Sequence, residues 1–268
     1  YEITCRDWSS DVCSSDLFTS GSDGDGIEIK RGGARNTIRH NVIHDTRYPA
    51  IFSYGNTSAN PADANVIYGN VIYNSLYEGI QVCGNSESYN NIIFNCRDAL
   101  TCNVYSGSSS YYQNIRIYNN TFYKSSTVMQ LLVFDETTFN SISSNAFYNN
   151  ACYDTIASFD APSSGGNALV TNNAYGNLTQ AAAAMVAPSV TAGSCNFYPQ
   201  SSGALVNAGY IAGAPADDFN TMPRDSSPDI GAYEYSDAEN PGWQIASEFK
   251  HILIIGIDMT QPLNGEEL

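Results

Sequence analysis

The stretch NTIRHNVIHDTRYPAIFSYGN, Asn36 to Asn56, decides the fold. Its first half, Asn-x-Ile-x-x-Asn-x-Ile, returns in weaker copies. Asn41-Val-Ile43 is answered by Asn70-Val-Ile72, Asn91-Ile-Ile93, Asn120-Thr-Phe122, Asn145-Ala-Phe147 and Asn173-Ala-Tyr175. Ile38, Ile67, Ile117, Ile142 and Val170 stand three places ahead of their asparagines, and Ser88 breaks the rule before Asn91. Steps of 29, 21, 29, 25 and 28 residues suit a coil whose loops vary in length while its strands and one Asn bend keep register.

The second half also recurs. Asp25-Gly-Ile27, Pro49-Ala-Ile51, Glu78-Gly-Ile80 and Asp98-Ala-Leu100 each place a small residue before an apolar one, and the short alternating runs IEIK, IFSY, IQVC and LTCN follow. Each repeat therefore offers at least two strands of three to five residues, and no stretch keeps a helical period. Strands this short are not stable alone, so each coil must lie on the next and bury a shared column of Ile, Val, Leu and Phe. Each such side chain contributes roughly 1.5–3 kcal/mol. Asparagines at inward bends can hydrogen-bond from coil to coil. The pattern predicts an all-β, right-handed parallel β-helix with Asn41, Asn70, Asn91, Asn120 and Asn145 along one edge.

These repeats resemble those of the pectin-lyase-like superfamily. ALVNAG (Ala204–Gly209) followed by DDFNTMPRDSSPDIGAYEY (Asp217–Tyr235) resembles the closing motif of many secreted bacterial members, and together the resemblance covers about Ser20 to Tyr235. It implies a secreted or cell-surface protein, a monomer, whose partner is a polysaccharide. The closing motif is fairly specific for the architecture and says almost nothing about substrate.

Composition agrees. The chain has 268 residues, 43% apolar and only 14% charged, with a formal charge of −16. Nucleic acid and anionic membrane surfaces would be repelled by that charge, and Ile252–Ile257 is far too short to span a bilayer. Asp7–Leu17, DWSSDVCSSDL, resembles the translation of a sequencing adapter and lacks both the repeat and a signal-peptide core. Residues 1–17 are therefore expected to be non-native, with a true cap and signal peptide missing, residues 18–235 to form the β-helix, and residues 236–268 to be a linker and tail. QAAAAMVAP, Gln180–Pro188, reads as a short helix ended by Pro188 or as a buried linker. Cys83, Cys96, Cys102, Cys152 and Cys195 remain, an odd number without a CxxC pair, which supports neither zinc nor a redox motif. Cys102 is expected in the core and Cys83 outside it, and a disulfide between neighbouring coils stays open.

Alternation along the strands turns Ile27 and Ile29 inward and leaves Glu28 and Lys30 outward. The matching outward pairs are Phe52 and Tyr54, Gln81 and Cys83, and Thr101 and Asn103. Glu28, Lys30, Phe52, Tyr54 and Gln81 are thus expected to form a polar and aromatic patch suited to sugar rings; the alternative is an ordinary solvated sheet face. The loop His44–Pro49 gathers His44, Asp45, Arg47 and Tyr48. In related polysaccharide lyases, the resemblance implies, a Lys or Arg removes the proton alpha to a uronate carboxylate that a cation neutralises. Lys30, Arg47 and His44 are the candidates for base or carboxylate clamp, with Tyr48 or Tyr54 as proton donor. Alternatively, Asp45 and Arg47 pair locally and His44 caps the loop. Glu78 and Asp98 fall in adjacent coils; converging, they need a cation such as calcium or a shared proton, and otherwise they point into water. A non-catalytic glycan-binding or display β-helix is the rival to the lyase. A polygalacturonase-like hydrolase is the third reading, weakened because no outward strand position is Asp.

Overall fold

The computed structural model describes residues 2–3, 26–29, 32–103, 112–124, 126, 130–155 and 159–237. Lys30, Asp7–Leu17 and the tail from residue 238 lie outside the described residues. Each coil as far as Phe134 holds three short strands, within the expected two or more, because the Asn bend divides the first half of the repeat. Sheet A contains Thr37–Arg39, Asn65–Tyr68, Ser86–Tyr89, Ile115–Tyr118, Ala146–Tyr148 and Leu169–Thr171, with Glu2–Ile3 pairing parallel to Thr37–Ile38 at its edge. Sheet C follows each Asn bend: Val42–His44, Val71–Tyr73, Ile92–Phe94, Thr121–Tyr123, Ala151–Asp154 and Ala174–Asn177. Sheet B completes the coil with Ile27–Ile29, Ile51–Ser53, Glu78–Val82, Asp98–Cys102 and Leu132–Phe134. All pairings inside these sheets are parallel. With parallel crossovers of the usual hand, this is a right-handed parallel β-helix.

Packing explains the small residues of the repeat. Ala50 and Ile51 both enter the interior, as do Ala99 and Leu100. A Cβ on Gly79 would come within 2.5 Å of Ile93 Cγ2. Two successive inward residues turn the residue before them, Pro49, Glu78 or Asp98, to the outside. The interior itself is one column of Ile38, Ile43, Ile67, Ile72, Phe122 and Phe147, all without exposed surface.

The Asn ladder is present, with one rung displaced. The side-chain Oδ1 of Asn70 accepts both the backbone N–H and the side-chain amide of Asn41, at 3.0 and 2.9 Å. The same double contact links Asn70 to Asn91, Asn91 to Asn120, Asn120 to Asn150 and Asn150 to Asn173. The fifth rung is Asn150, not Asn145. Asn145 stands just before the sheet A strand Ala146–Tyr148, and its Oδ1 accepts the Ile115 N–H at 3.0 Å. Every true rung follows a residue with positive φ: His40, Gly69, Asn90, Asn119, Asn149 and Asn172. That left-handed residue makes the sharp bend, which Asn and Gly tolerate best.

Cys83 corrects a second expectation. The strand ends at Val82, so alternation does not carry on. The Cys83 thiol is buried 3.7 Å from the Ser53 carbonyl, and burial pushes its pKa up to about 11. The five described cysteines are all buried free thiols.

The closing segment lies outside the solenoid. Leu178–Ala184 forms a helix capped by Asn177, and Met185–Ala187 then pairs antiparallel with Asn196–Pro199. This unit lays Met185, Phe197, Leu205, Phe219 and Ile230 on the outer face of sheet C, against Val71, Ile92, Phe94 and Tyr123, making a second apolar core. The left-handed asparagines hold the strap that follows. Asn90 donates to Asp217 O, Asn119 to Asp229 O, Asn149 to Tyr210 O and Asn172 to Ala208 O, at 2.7–3.0 Å. Arg224, its side chain 2% exposed, donates to Asn90 Oδ1, Gly231 O, Ala232 O and Glu234 Oε2. The residues of the closing motif therefore serve as a clasp.

Candidate functional site

Among the described residues the closing segment packs on sheet C and not on the outer face of sheet B. Register places Glu28, Phe52, Gln81, Thr101 and Val133 in one outward row across successive coils. Coils about 4.8 Å apart make this row a continuous strip. Phe52 packs against Tyr54 with ring centroids 5.4 Å apart. The strip thus joins an aromatic patch in the early coils to amide and hydroxyl groups in the later ones.

A second column runs along the edge where each strand of sheet B begins. Glu78 and Asp98 are direct partners across coils. One residue earlier, Tyr48 stacks on Tyr77 at 4.9 Å, and the Arg97 guanidinium lies 4.3 Å over the other side of that stack's Tyr77 ring. Arg97 Nη2 donates to Glu78 Oε1 and to Asp98 Oδ2, while its Nε also donates to Asp98 Oδ2 at 2.9 Å. Burial raises the pKa of both carboxyls and outweighs the lowering pull of Arg97. Burial acts to lower Arg97 as well, but the hydrogen bond to Asp98 and the charge of Glu78 hold it above its usual value. Neither carboxylate simply points into water, the alternative left open for them: both take a hydrogen bond from Arg97, which supplies a positive charge between them. Among the described residues no group of three or more His, Cys, Asp or Glu side chains is gathered for a metal.

The other candidates separate. His44 ends a strand of sheet C, stacked on Tyr73 at 4.7 Å, with its Nδ1 2.7 Å from Asp45 Oδ2. Asp45 Oδ1 accepts from Asn74, whose Oδ1 accepts from Asn95. His44 therefore belongs to the sheet C side of the bend, whereas Tyr48 borders sheet B. Arg47 sits between them, partly buried. The sequence reading missed Arg97, Tyr77 and the burial of Thr101. The first two were accessible through register: Tyr48, Tyr77 and Arg97 each stand one residue before Pro49, Glu78 and Asp98.

These elements define a right-handed parallel β-helix whose sheet C is capped by the chain's own closing segment. Among solved structures, pectate lyase Pel9A is similar, at 15% identity and a TM-score of 0.43, over 77% of this chain and 56% of that one. The chain thus spans little more than half the length of that structure. No family model and no curated protein matches the chain.

Proposed function

We propose that the protein is a secreted carbohydrate-active β-helix that binds a polysaccharide along the outer face of sheet B. The observation that carries this reading is the row Glu28–Phe52–Gln81–Thr101, in register across four coils. An aromatic ring beside carboxylate, amide and hydroxyl groups offers apolar contact and hydrogen bonds in the alternation a pyranose ring presents. The acidic, Lys-poor composition accords with an extracellular setting.

Two catalytic readings remain beside the binding one. In β-elimination, Lys30, Arg47 or His44 would take the proton alpha to a uronate carboxylate, and Tyr48 or Tyr54 would protonate the departing sugar. The carboxylates Glu28, Glu78 and Asp98 work against an anionic substrate there. In hydrolysis, Glu78 and Asp98 would supply acid and base. Calorimetry against neutral, acidic and amino polysaccharides tests the binding reading, and absorbance of the unsaturated product tests elimination. Phe52→Ala is expected to weaken binding about tenfold, some 1.4 kcal/mol, without lowering the melting temperature. A wild type that binds no glycan would end the proposal.

A further inference from the structure

Charge is spread unevenly along the chain. From Ala161 to Ala216 there is no Asp, Glu, Lys, Arg or His, although the whole molecule has a formal charge of −16. That run builds the last coil, the helix Leu178–Ala184 and the antiparallel pair Met185–Ala187 and Asn196–Pro199. Four of the six large apolar side chains exposed among the described residues belong to it: Leu169, Tyr175, Val186 and Ile211.

The end of this stack is a strand edge. Leu169–Thr171 is the last strand of sheet A, and Ala174–Asn177 is the last of sheet C. Leu169 N–H donates back to Asn145 O, Thr171 O accepts from Asn149, and Ala174 N–H donates back to Asn150 O. Backbone groups alternate in direction along a strand, so the N–H and C=O of Val170 and Tyr175 point onward, where a further coil would lie. Among the described residues nothing takes them up.

Side chains repeat the picture. Val170 and Tyr175 stand in register with Phe147 and Cys152 of the interior, yet Tyr175 is 41% exposed. Each earlier rung of the ladder gives its N–H and side-chain amide to the next Asn, and Asn173 ends the described ladder with no rung beyond it. Proteins usually blunt such an edge with charge or proline. Leu169–Asn177 holds neither.

We propose that this end is a self-association face, where a second copy docks end to end about a two-fold axis and covers the Val170 and Tyr175 edges. Two copies repel each other wherever their acidic surfaces meet. The uncharged end is where that repulsion is least, and a two-fold axis sets its apolar and hydrogen-bonding groups against their own copies. A charged partner finds no counter-charge there. The proposal stands apart from the glycan reading and departs from the monomer that the family resemblance implies.

The test is sedimentation of the full chain over a wide range of concentration, with hydrogen exchange read residue by residue. The mass should rise from one chain to two, and added salt should tighten the association by screening the remaining repulsion. Exchange at Val170 and Tyr175 should slow as the dimer forms, whereas Leu169 and Ala174, already bonded to the preceding coil, should change little. Tyr175→Glu, which sets like charges across the axis, should weaken association at least tenfold. If that variant fails to fold, Val170→Pro removes an N–H that the preceding strand does not use and reads the same loss. A single chain at every concentration overturns the inference. So does undiminished association in a folded variant. Protection of Val170 and Tyr175 that is independent of concentration overturns it as well, because the cover would then come from the same chain.

Discussion

The outer faces of sheets B and C are built by one alternation and have opposite fates. Two threonines mark the difference. Thr121, on sheet C, is 2% exposed, and its Oγ1 accepts the Ala232 N–H at 3.0 Å. Thr101, on sheet B, is 4% exposed, and its Oγ1 has no partner. Around Thr121 the outward residues are Val71, Ile92, Phe94 and Tyr153, and the chain's own closing segment covers them. Around Thr101 they are Gln81, Glu78, Asp98 and Arg97, and the closing segment does not. A solenoid's outward positions are free to vary without disturbing the stack, so apolar side chains on one face can recruit the chain's own closing segment while polar ones on another do not.

The comparison breaks most visibly at the clasp. Arg224→Met removes a buried guanidinium from Asn90, Gly231, Ala232 and Glu234, leaving buried carboxylates without their cation. A loss of about 3–5 kcal/mol is expected in denaturant unfolding. Glycan affinity at sheet B should persist wherever the variant is still folded; a parallel loss of affinity would show that the faces are coupled.

Acid gives a smaller effect on the same clasp. Burial raises the Asp229 carboxyl from 3.8 to about 6, against the two backbone N–H groups, of Asn207 and Tyr235, that lower it. The folded state therefore binds the proton more tightly than the unfolded chain. This contribution is fully present below pH 3.8 and is lost as pH rises through about 6, on the order of 2–3 kcal/mol. Asp229→Asn should flatten the stability profile between pH 4 and 7. An unchanged slope in the variant would place the titration elsewhere.

The two threonines sharpen the contrast with the smallest changes. Thr121→Val strands the Ala232 N–H and should cost about 1 kcal/mol, whereas Thr101→Val removes an unpartnered buried hydroxyl and should stabilise by up to about 1 kcal/mol. Thermal unfolding of the pair is the check. A destabilised Thr101→Val would mean that its hydroxyl is satisfied after all.

Much of the architecture was legible because a strand has period two and a small residue before an apolar one marks where it begins. Glu28, Phe52, Gln81 and Thr101 do share one outward row. Glu78 and Asp98 do meet. The fifth rung slid because Asn145-Ala-Phe and Asn150-Ala-Cys look alike at the positions used for alignment. The Asn-Asn doublets at 90–91, 119–120, 149–150 and 172–173 would have placed it, since the first Asn of each makes the left-handed bend. The cover on sheet C was not legible, because nothing local says that Phe197 and Phe219 meet Phe94 and Tyr123. The role of Arg97 was not legible from the carboxylate column alone, because only the folded register brings its guanidinium to both Glu78 and Asp98.

The ladder's uneven intervals have a consequence for how such a chain tolerates change. Successive rungs are 29, 21, 29, 30 and 23 residues apart, yet the amide contacts are the same throughout. Length is thus absorbed inside each coil and does not propagate to the next. An insertion into a connecting loop is a local event, invisible three coils away. A single residue inserted between a rung and its strand, at Asn91-Ile92 for example, would instead reverse which side chains of that strand face the interior. The chain can therefore lengthen almost anywhere except where it counts its own residues, and those places are the asparagine bends.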